Sequence, residues 1–272
     1  MTLTKCWPGG KTRAFNLTYD DGVVQDIGMV ELLNELGLKG TFNLNSQLMA
    51  EDFRWQHPCG MWVCRLGPEQ AAALYEGHEV ACHTLTHPDF SALSREAMLW
   101  EMGEDKRRLE ALFGREIRGF ALPFHHWSNL ARSCAIECGF SYARISEESG
   151  AYRPPEDYYS WKAGIFHLNE GLDDYVEGFL QCENEMALGQ IVGHSYDLDA
   201  IGDWETMAGH LRRISEDSDT VSMTNLELAD YLRAMEQAVL SDGRLENRSS
   251  LPLWFRLNTE RICLLPGESR QL

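Results

Sequence analysis

The sequence has no stretch long and apolar enough to span a bilayer, no Cys-x-x-Cys pair and no excess of basic residues. Each absence removes a class of function. A spanning helix needs about 20 consecutive apolar residues, so a helical membrane protein is excluded. Lys and Arg number 24 against 42 Asp and Glu, for a formal net charge of −18. Such a surface repels phosphate backbones and anionic lipid, which argues against nucleic acid and membrane partners. The eight cysteines carry no paired spacing and read as reduced thiols, several of them packed as small apolar residues. Met1–Lys11 is short and polar, without the hydrophobic core of a secretion signal, and gives cytoplasmic as the expected location. Repeats and low-complexity tracts are also missing.

What is present is an ordinary globular composition, 44% hydrophobic and 24% charged over 272 residues, in which short apolar runs alternate with helical patterns. Strands are expected at Arg13–Tyr19, Thr41–Leu44, Glu79–His83, Ile117–Leu122, Phe140–Ile145, Gln190–His194 and Thr220–Met223. Helices are expected over Asp26–Leu36, Pro68–Tyr75, Arg95–Phe113, Leu130–Cys138, Thr206–Ile214 and Leu226–Leu240. The alternation implies an α/β fold with a parallel sheet and helices outside it, either barrel-like or doubly wound. Ser241–Ser250 is polar and rich in turn formers and reads as a linker. Beyond it, Trp254–Leu257 and Ile262–Leu265 flank Asn258–Arg261 as a β-hairpin appendage.

In parallel sheets active sites form beyond the carboxyl ends of the strands. Three segments at such ends carry metal-binding residue types: Thr18-Tyr-Asp-Asp-Gly22, His83-Thr-Leu-Thr-His-Pro88 and Gly193-His-Ser-Tyr196. Two imidazoles and one carboxylate suit zinc or a similar divalent ion with a position left for water. Amide hydrolysis needs a base for the water proton and an acid for the departing amine. Adjacent aspartates on extended chain point to opposite sides, so one can hold the ion while the other faces the water. A helical zincin is excluded, because Thr84 rather than Glu follows His83 and Pro88 biases His87 away from helical angles. Taken singly, His-x-x-x-His, Asp-Asp-Gly and His194 each have a structural explanation: chance spacing, a helix cap and a hydrogen-bonded buried histidine. Their joint occurrence at three strand ends is what points to a site.

In that order Thr18-Tyr-Asp-Asp-Gly22, Lys39-Gly-Thr-Phe-Asn-Leu44 and Gly77-His-Glu-Val-Ala-Cys-His-Thr-Leu-Thr-His-Pro88 resemble the successive motifs of the polysaccharide deacetylases, the fourth carbohydrate esterase family. The resemblance runs from about Arg13 to Leu240. It implies a distorted seven-stranded (β/α) barrel over residues 1–240, with the linker and hairpin as an extension over 241–272. It further implies Asp20 as general base, Asp21, His83 and His87 as metal ligands, and His194 as general acid. Phe120-Ala-Leu-Pro-Phe124 resembles the third motif, whose last backbone N–H, that of Phe124, helps bind the oxyanion. Trp161 resembles the aromatic that walls the substrate pocket. The expected ion is zinc, with cobalt, nickel or manganese as alternatives. One position departs from the pattern: the arginine that pairs with the base in the third motif is Ala121 here. Arg144, at the end of the fifth strand, is the residue available to replace it, since a nearby cation keeps a carboxylate charged.

The expected reaction is removal of an N-acyl group, above all acetyl, from an amino sugar or short oligosaccharide. Two rivals stand beside it: opening of a small cytosolic cyclic imide or ureide (or loss of a formyl group) at the same residues, and a disabled carbohydrate-binding protein. His125 and His126 could line the pocket or be plain loop residues, and Trp55, His57 and Trp62 could wall it or pack a loop on the barrel rim. The oligomeric state is not readable from the sequence.

Overall fold

The computed structural model describes residues 2–50 and 52–272. All seven expected strand segments form, and with two short additional strands they make one nine-stranded sheet. The order around it is Ile165–Phe166, Ala187–Gly193, Arg13–Asp20, Gly40–Leu44, Glu79–Cys82, Gly119–Ala121, Tyr142–Glu148 and Trp161–Ala163. Thr220–Ser222 pairs with the first part of Arg13–Asp20, where Gly40–Leu44 does not reach. Every pairing in this sheet is parallel. The two ends of the order are consecutive in the chain, with Gly164 alone between them, so the sheet curls into a nearly closed barrel. Glycine is needed at that seam: a Cβ there would stand 2.0 Å from the Tyr175 hydroxyl and 2.4 Å from the Gln190 carbonyl.

Period-two alternation sorts the strand residues. Phe15, Leu17, Tyr19, Phe42, Leu44, Val80 and Cys82 belong to the apolar cluster shared with the surrounding helices. The alternate residues turn inward and form a buried polar lumen. There Asn16 and Thr41, Thr41 and Glu79, Glu79 and Tyr142, and Trp161 and Gln190 are joined by hydrogen bonds. The inward row continues to the strand ends. Asp20 follows Asn16 and Thr18, His83 follows Glu79 and Ala81, Arg144 follows Tyr142, and His194 follows Gln190 and Val192. The alternation that fills the lumen therefore aims the chemistry-bearing residues into its mouth.

The helices surround this barrel. Arg95–Phe113 forms over its expected range, capped at its start by the Ser94 hydroxyl and at its end by Gly114 in the left-handed conformation. Leu172–Leu180 and Ser195–Ile201 are helices that the sequence reading left out. The expected Leu226–Leu240 helix spans Asn225–Met235 and is followed by a strand, Ala238–Ser241.

That strand corrects the linker reading. Ala238–Ser241, Arg244–Asn247 and Ser269–Gln271 form a three-stranded sheet. The physical signal is Asp242-Gly243, both at positive φ, the dipeptide favoured in two-residue hairpins. Leu245 and Asn247 are buried, and the Asn247 amide donates to the carbonyls of Leu251 and Leu264 at 2.8 Å each. The expected hairpin forms as Leu253–Leu257 against Glu260–Leu264, and Leu3–Cys6 extends it to three strands. Among the described residues no helix is long and apolar enough to cross a membrane.

Candidate active site

A cleft of about 480 Å³ opens at the barrel mouth, lined among others by Asp20, Asp21, His83, His87, Arg144 and His194. Single ligand atoms of Asp21, His83 and His87 lie within 4.8 Å of one another. The Nδ1 of His83 stands 2.9 Å from the Ala121 carbonyl, which can only accept, so Nδ1 carries the proton and Nε2 is left with its lone pair. A second-sphere carbonyl that fixes the tautomer in this way is the usual support of a metal-binding histidine. Burial drives the His83 pKa down to about 4, against the charge of Asp20, which favours the neutral imidazole a metal requires. Two nitrogens and one carboxylate oxygen so arranged fit a divalent ion of the zinc type.

The backbone is strained where this set converges. Asp21, Thr84, His87 and Phe124 all have positive φ, between 56° and 88°. Non-glycine residues in that region persist only where the surroundings impose it, and they cluster at functional sites.

Asp20 ends its strand and Asp21 turns out of it at positive φ, and the two carboxylates find different partners. Asp20 is bound by the Arg144 guanidinium and, at 2.7 Å, by the Asn43 amide. Burial raises its pKa, but Arg144, His83 and His194 outweigh burial and hold it below the usual carboxylate range. Arg144, opposite Ala121 on the neighbouring strand, thus supplies a guanidinium to Asp20. Asp21 receives the Tyr196 hydroxyl at 3.2 Å and the Arg65 guanidinium at 3.1 Å.

His194 directly precedes the short helix Ser195–Ile201, whose first turn carries Asp197. Its Nδ1 donates to Asp197 Oδ2 at 2.9 Å, which turns Nε2 away from that carboxylate. The same oxygen receives Nε2–H of His167 at 3.2 Å, and Nδ1 of His167 accepts from the Tyr19 hydroxyl at 2.8 Å. Burial lowers the His194 pKa, but Asp197, Asp21 and Asp20 more than compensate, and the net shift is upward.

Phe124 presents a half-exposed ring to the cleft, 4.8 Å from that of His87. Trp161 is not brought to the cleft. It is 1% exposed inside the lumen, with Nε1 donating to Gln190 at 2.7 Å and its ring against Tyr142. Its inward register at the barrel seam explains the difference, and the aromatic walls of the cleft are Phe124, Phe166 and Tyr196. His125 lines the cleft and meets Ser146 at 2.8 Å, whereas His126 pairs with Asp89. Trp55 and His57 pack against Tyr196 from the hairpin Arg54–Gln56 and Trp62–Cys64, whereas Trp62 is exposed beneath the Arg54 guanidinium. Three participants escaped the sequence reading: Arg65, His167 and the pairing role of Asp197. Only Asp197, three residues after His194 and so one helical turn on, carried a usable signal.

Residues 9–143 match the family model described as polysaccharide deacetylase. The chain carries a polysaccharide deacetylase domain. No curated protein matches the sequence. Among solved structures, a family 4 carbohydrate esterase from Streptomyces lividans in complex with acetate is 18% identical, with 78% of this chain and 92% of that chain covered and a TM-score of 0.53. A Mycobacterium smegmatis protein thought to be a polysaccharide deacetylase is 16% identical, with 86% and 94% covered and a TM-score of 0.60. A family 4 pseudoenzyme from Bacillus anthracis is 17% identical, with 83% and 68% covered and a TM-score of 0.52. At such identities the likeness establishes the deacetylase fold alone. Because a pseudoenzyme shares that fold, the activity of this deacetylase domain has to be argued from its own residues.

Proposed function

We propose that the protein is a metal-dependent amide hydrolase that removes an N-acyl group, above all acetyl, from an amino sugar or a short oligosaccharide. The observation that carries this reading is that one cleft joins the Asp21, His83 and His87 cluster to Asp20 and His194. A divalent ion held by those three residues, zinc first and cobalt, nickel or manganese otherwise, supplies Lewis acidity and a water of lowered pKa.

The remaining work belongs to the chain. Asp20, kept ionised by Arg144 and with Oδ2 3.9 Å from Nε2 of His83, takes the proton of the attacking water. The Phe124 backbone N–H steadies the oxygen on which negative charge develops. His194, its Nδ1–H engaged by Asp197, presents Nε2 and gives its proton to the departing amine. Asp197 fixes the tautomer and favours the protonated ring, as an acid at neutral pH needs. The Arg144–Asp20 pair weighs against the disabled-site reading, because the cation missing from the third motif is supplied from elsewhere.

The first test is metal content of protein purified without added metal, beside His87→Ala, followed by a panel of N-acetylated amino sugars and oligosaccharides. About one divalent ion per chain, reduced in the variant, together with acetate release is the expected result. No ion in the wild type after incubation with zinc, cobalt or nickel would sink the reading. Turnover of a cyclic imide without release of a free acid would replace deacetylation by ring opening at the same residues.

A further inference from the structure

Arg65 has no part in the steps above, yet it is the second guanidinium buried at this site and only 4% exposed. Its Nη2 donates to Asp21 Oδ1 at 3.1 Å, and the same oxygen lies 3.6 Å from Nε2 of His87. Its Nη1 donates to Asn45 Oδ1 at 2.8 Å. The Asn45 amide in turn donates to the carbonyls of His83 and Thr84. One guanidinium therefore ties the Asp21 segment to the strained turn that carries both histidines. Its guanidinium carbon lies over the Trp55 ring, 5.0 Å from the centroid, so it is held from that side as well. Its Nε finds no protein partner, which fits a group set by its two Nη atoms rather than by packing convenience.

The charge count gives this arrangement a consequence. Arg144 balances Asp20 and Arg65 balances Asp21, so the neighbouring carboxylates are already neutralised before an ion arrives. A dication held by the cluster would bind a carboxylate that a buried cation already holds, at short range and away from screening solvent. The same contact that keeps Asp21 in place without an ion must therefore oppose the ion.

We propose that Arg65 is a positioning residue that holds Asp21 in the ligating arrangement in the metal-free protein and, through its charge, weakens the grip of the site on its ion. The inference rests on the reading of Asp21, His83 and His87 as metal ligands. It assigns the hairpin and Trp55 a purpose beyond packing, since they hold Arg65 over the ligand set.

Its test is calorimetric titration of the chelator-stripped protein with zinc or cobalt, paired with thermal unfolding with and without the ion, for wild type, Arg65→Met and Arg65→Lys. Arg65→Met should lower the metal-free Tm, tighten the ion Kd at least tenfold and enlarge the rise in Tm that the ion produces. Arg65→Lys keeps the charge but loses the fork to Asn45. It should lower the metal-free Tm with a Kd within a few-fold of wild type. Unchanged or weaker binding by Arg65→Met, with a wild type that binds the ion, overturns this inference and leaves the hydrolase reading standing. If Arg65→Met does not fold without metal, refolding on addition of zinc supports the inference and failure to refold overturns it. A wild type that binds no ion overturns both readings together.

Discussion

Two groups of buried carboxylates divide the molecule. At the barrel mouth Asp20, Asp21 and Asp197 each face a guanidinium or imidazoles, and all three are held below the usual carboxylate range despite burial. Deeper in the lumen and behind the strands Glu79, Asp105 and Asp26 have hydrogen-bond donors but no cation. Glu79 accepts from Thr41, Tyr142 and the Leu226 N–H, and Asp105 from Cys82, Ser46 N–H and His83 N–H. Burial raises Glu79 and Asp105 to about 7 and Asp26 to about 6 against those bonds. Neutral donors alone do not restore what water gave the charge, whereas one buried cation does. The two groups thus differ in what surrounds them: charge kept beside cations at the mouth, and near-neutral acids tying neighbouring segments together within.

The sharpest way to break this contrast is Asp20→Asn, which keeps shape and removes the base. Turnover should fall by roughly 10²–10⁴-fold, the usual worth of a general base, with metal content by mass spectrometry unchanged. Full activity would remove Asp20 from that role. Next comes Arg144→Ala, which leaves Asp20 buried and charged without its partner. Breaking one side of a buried pair costs about 3–5 kcal/mol, so chemical denaturation should register a large loss. Activity should fall as well, and its acidic limb should move to higher pH as Asp20 becomes harder to ionise.

The inner group makes a prediction about pH. Glu79 is raised in the folded state from an ordinary 4.5 to about 7, so its contribution to stability is complete below pH 4.5 and disappears as pH climbs through 7. A shift of that size corresponds to about 3 kcal/mol. Stability measured from pH 5 to pH 8 should decline in the wild type and decline less in Glu79→Gln. An equal slope in both proteins would mean that Glu79 stays ionised. The smallest effect belongs to Trp161→Phe, which gives up the bond to Gln190 at the barrel seam. It should cost about 1 kcal/mol and leave KM unaltered, and a raised KM would return Trp161 to the substrate.

How much of this was legible in the sequence follows from where the signals were local. The seven expected strand segments are bounded by turn formers, so they could be read directly. Trp161–Ala163 and Ile165–Phe166 could not, because Lys162 and Gly164 interrupt what would otherwise be one apolar run. Asp21, His83 and His87 stood out through joint occurrence at strand ends, and the structure brings their ligand atoms together. Arg144 was found only by asking what could replace the absent cation at Ala121. Arg65 and His167 lie in segments without periodicity, and nothing nearby in sequence announces their carboxylate partners. Trp161 was misassigned because position along the chain does not reveal which way a residue faces at a barrel seam.

The seam itself has a consequence for how the protein behaves among other proteins. An open sheet ends in a row of unpaired N–H and C=O groups that can recruit a foreign strand and seed aggregation. Here the bordering strands are three and two residues long and one glycine apart, so the barrel presents almost no ladder to copy. A larger side chain at Gly164 would prise the borders apart and lay bare backbone that has no partner, turning a self-contained barrel into one with an adhesive flank.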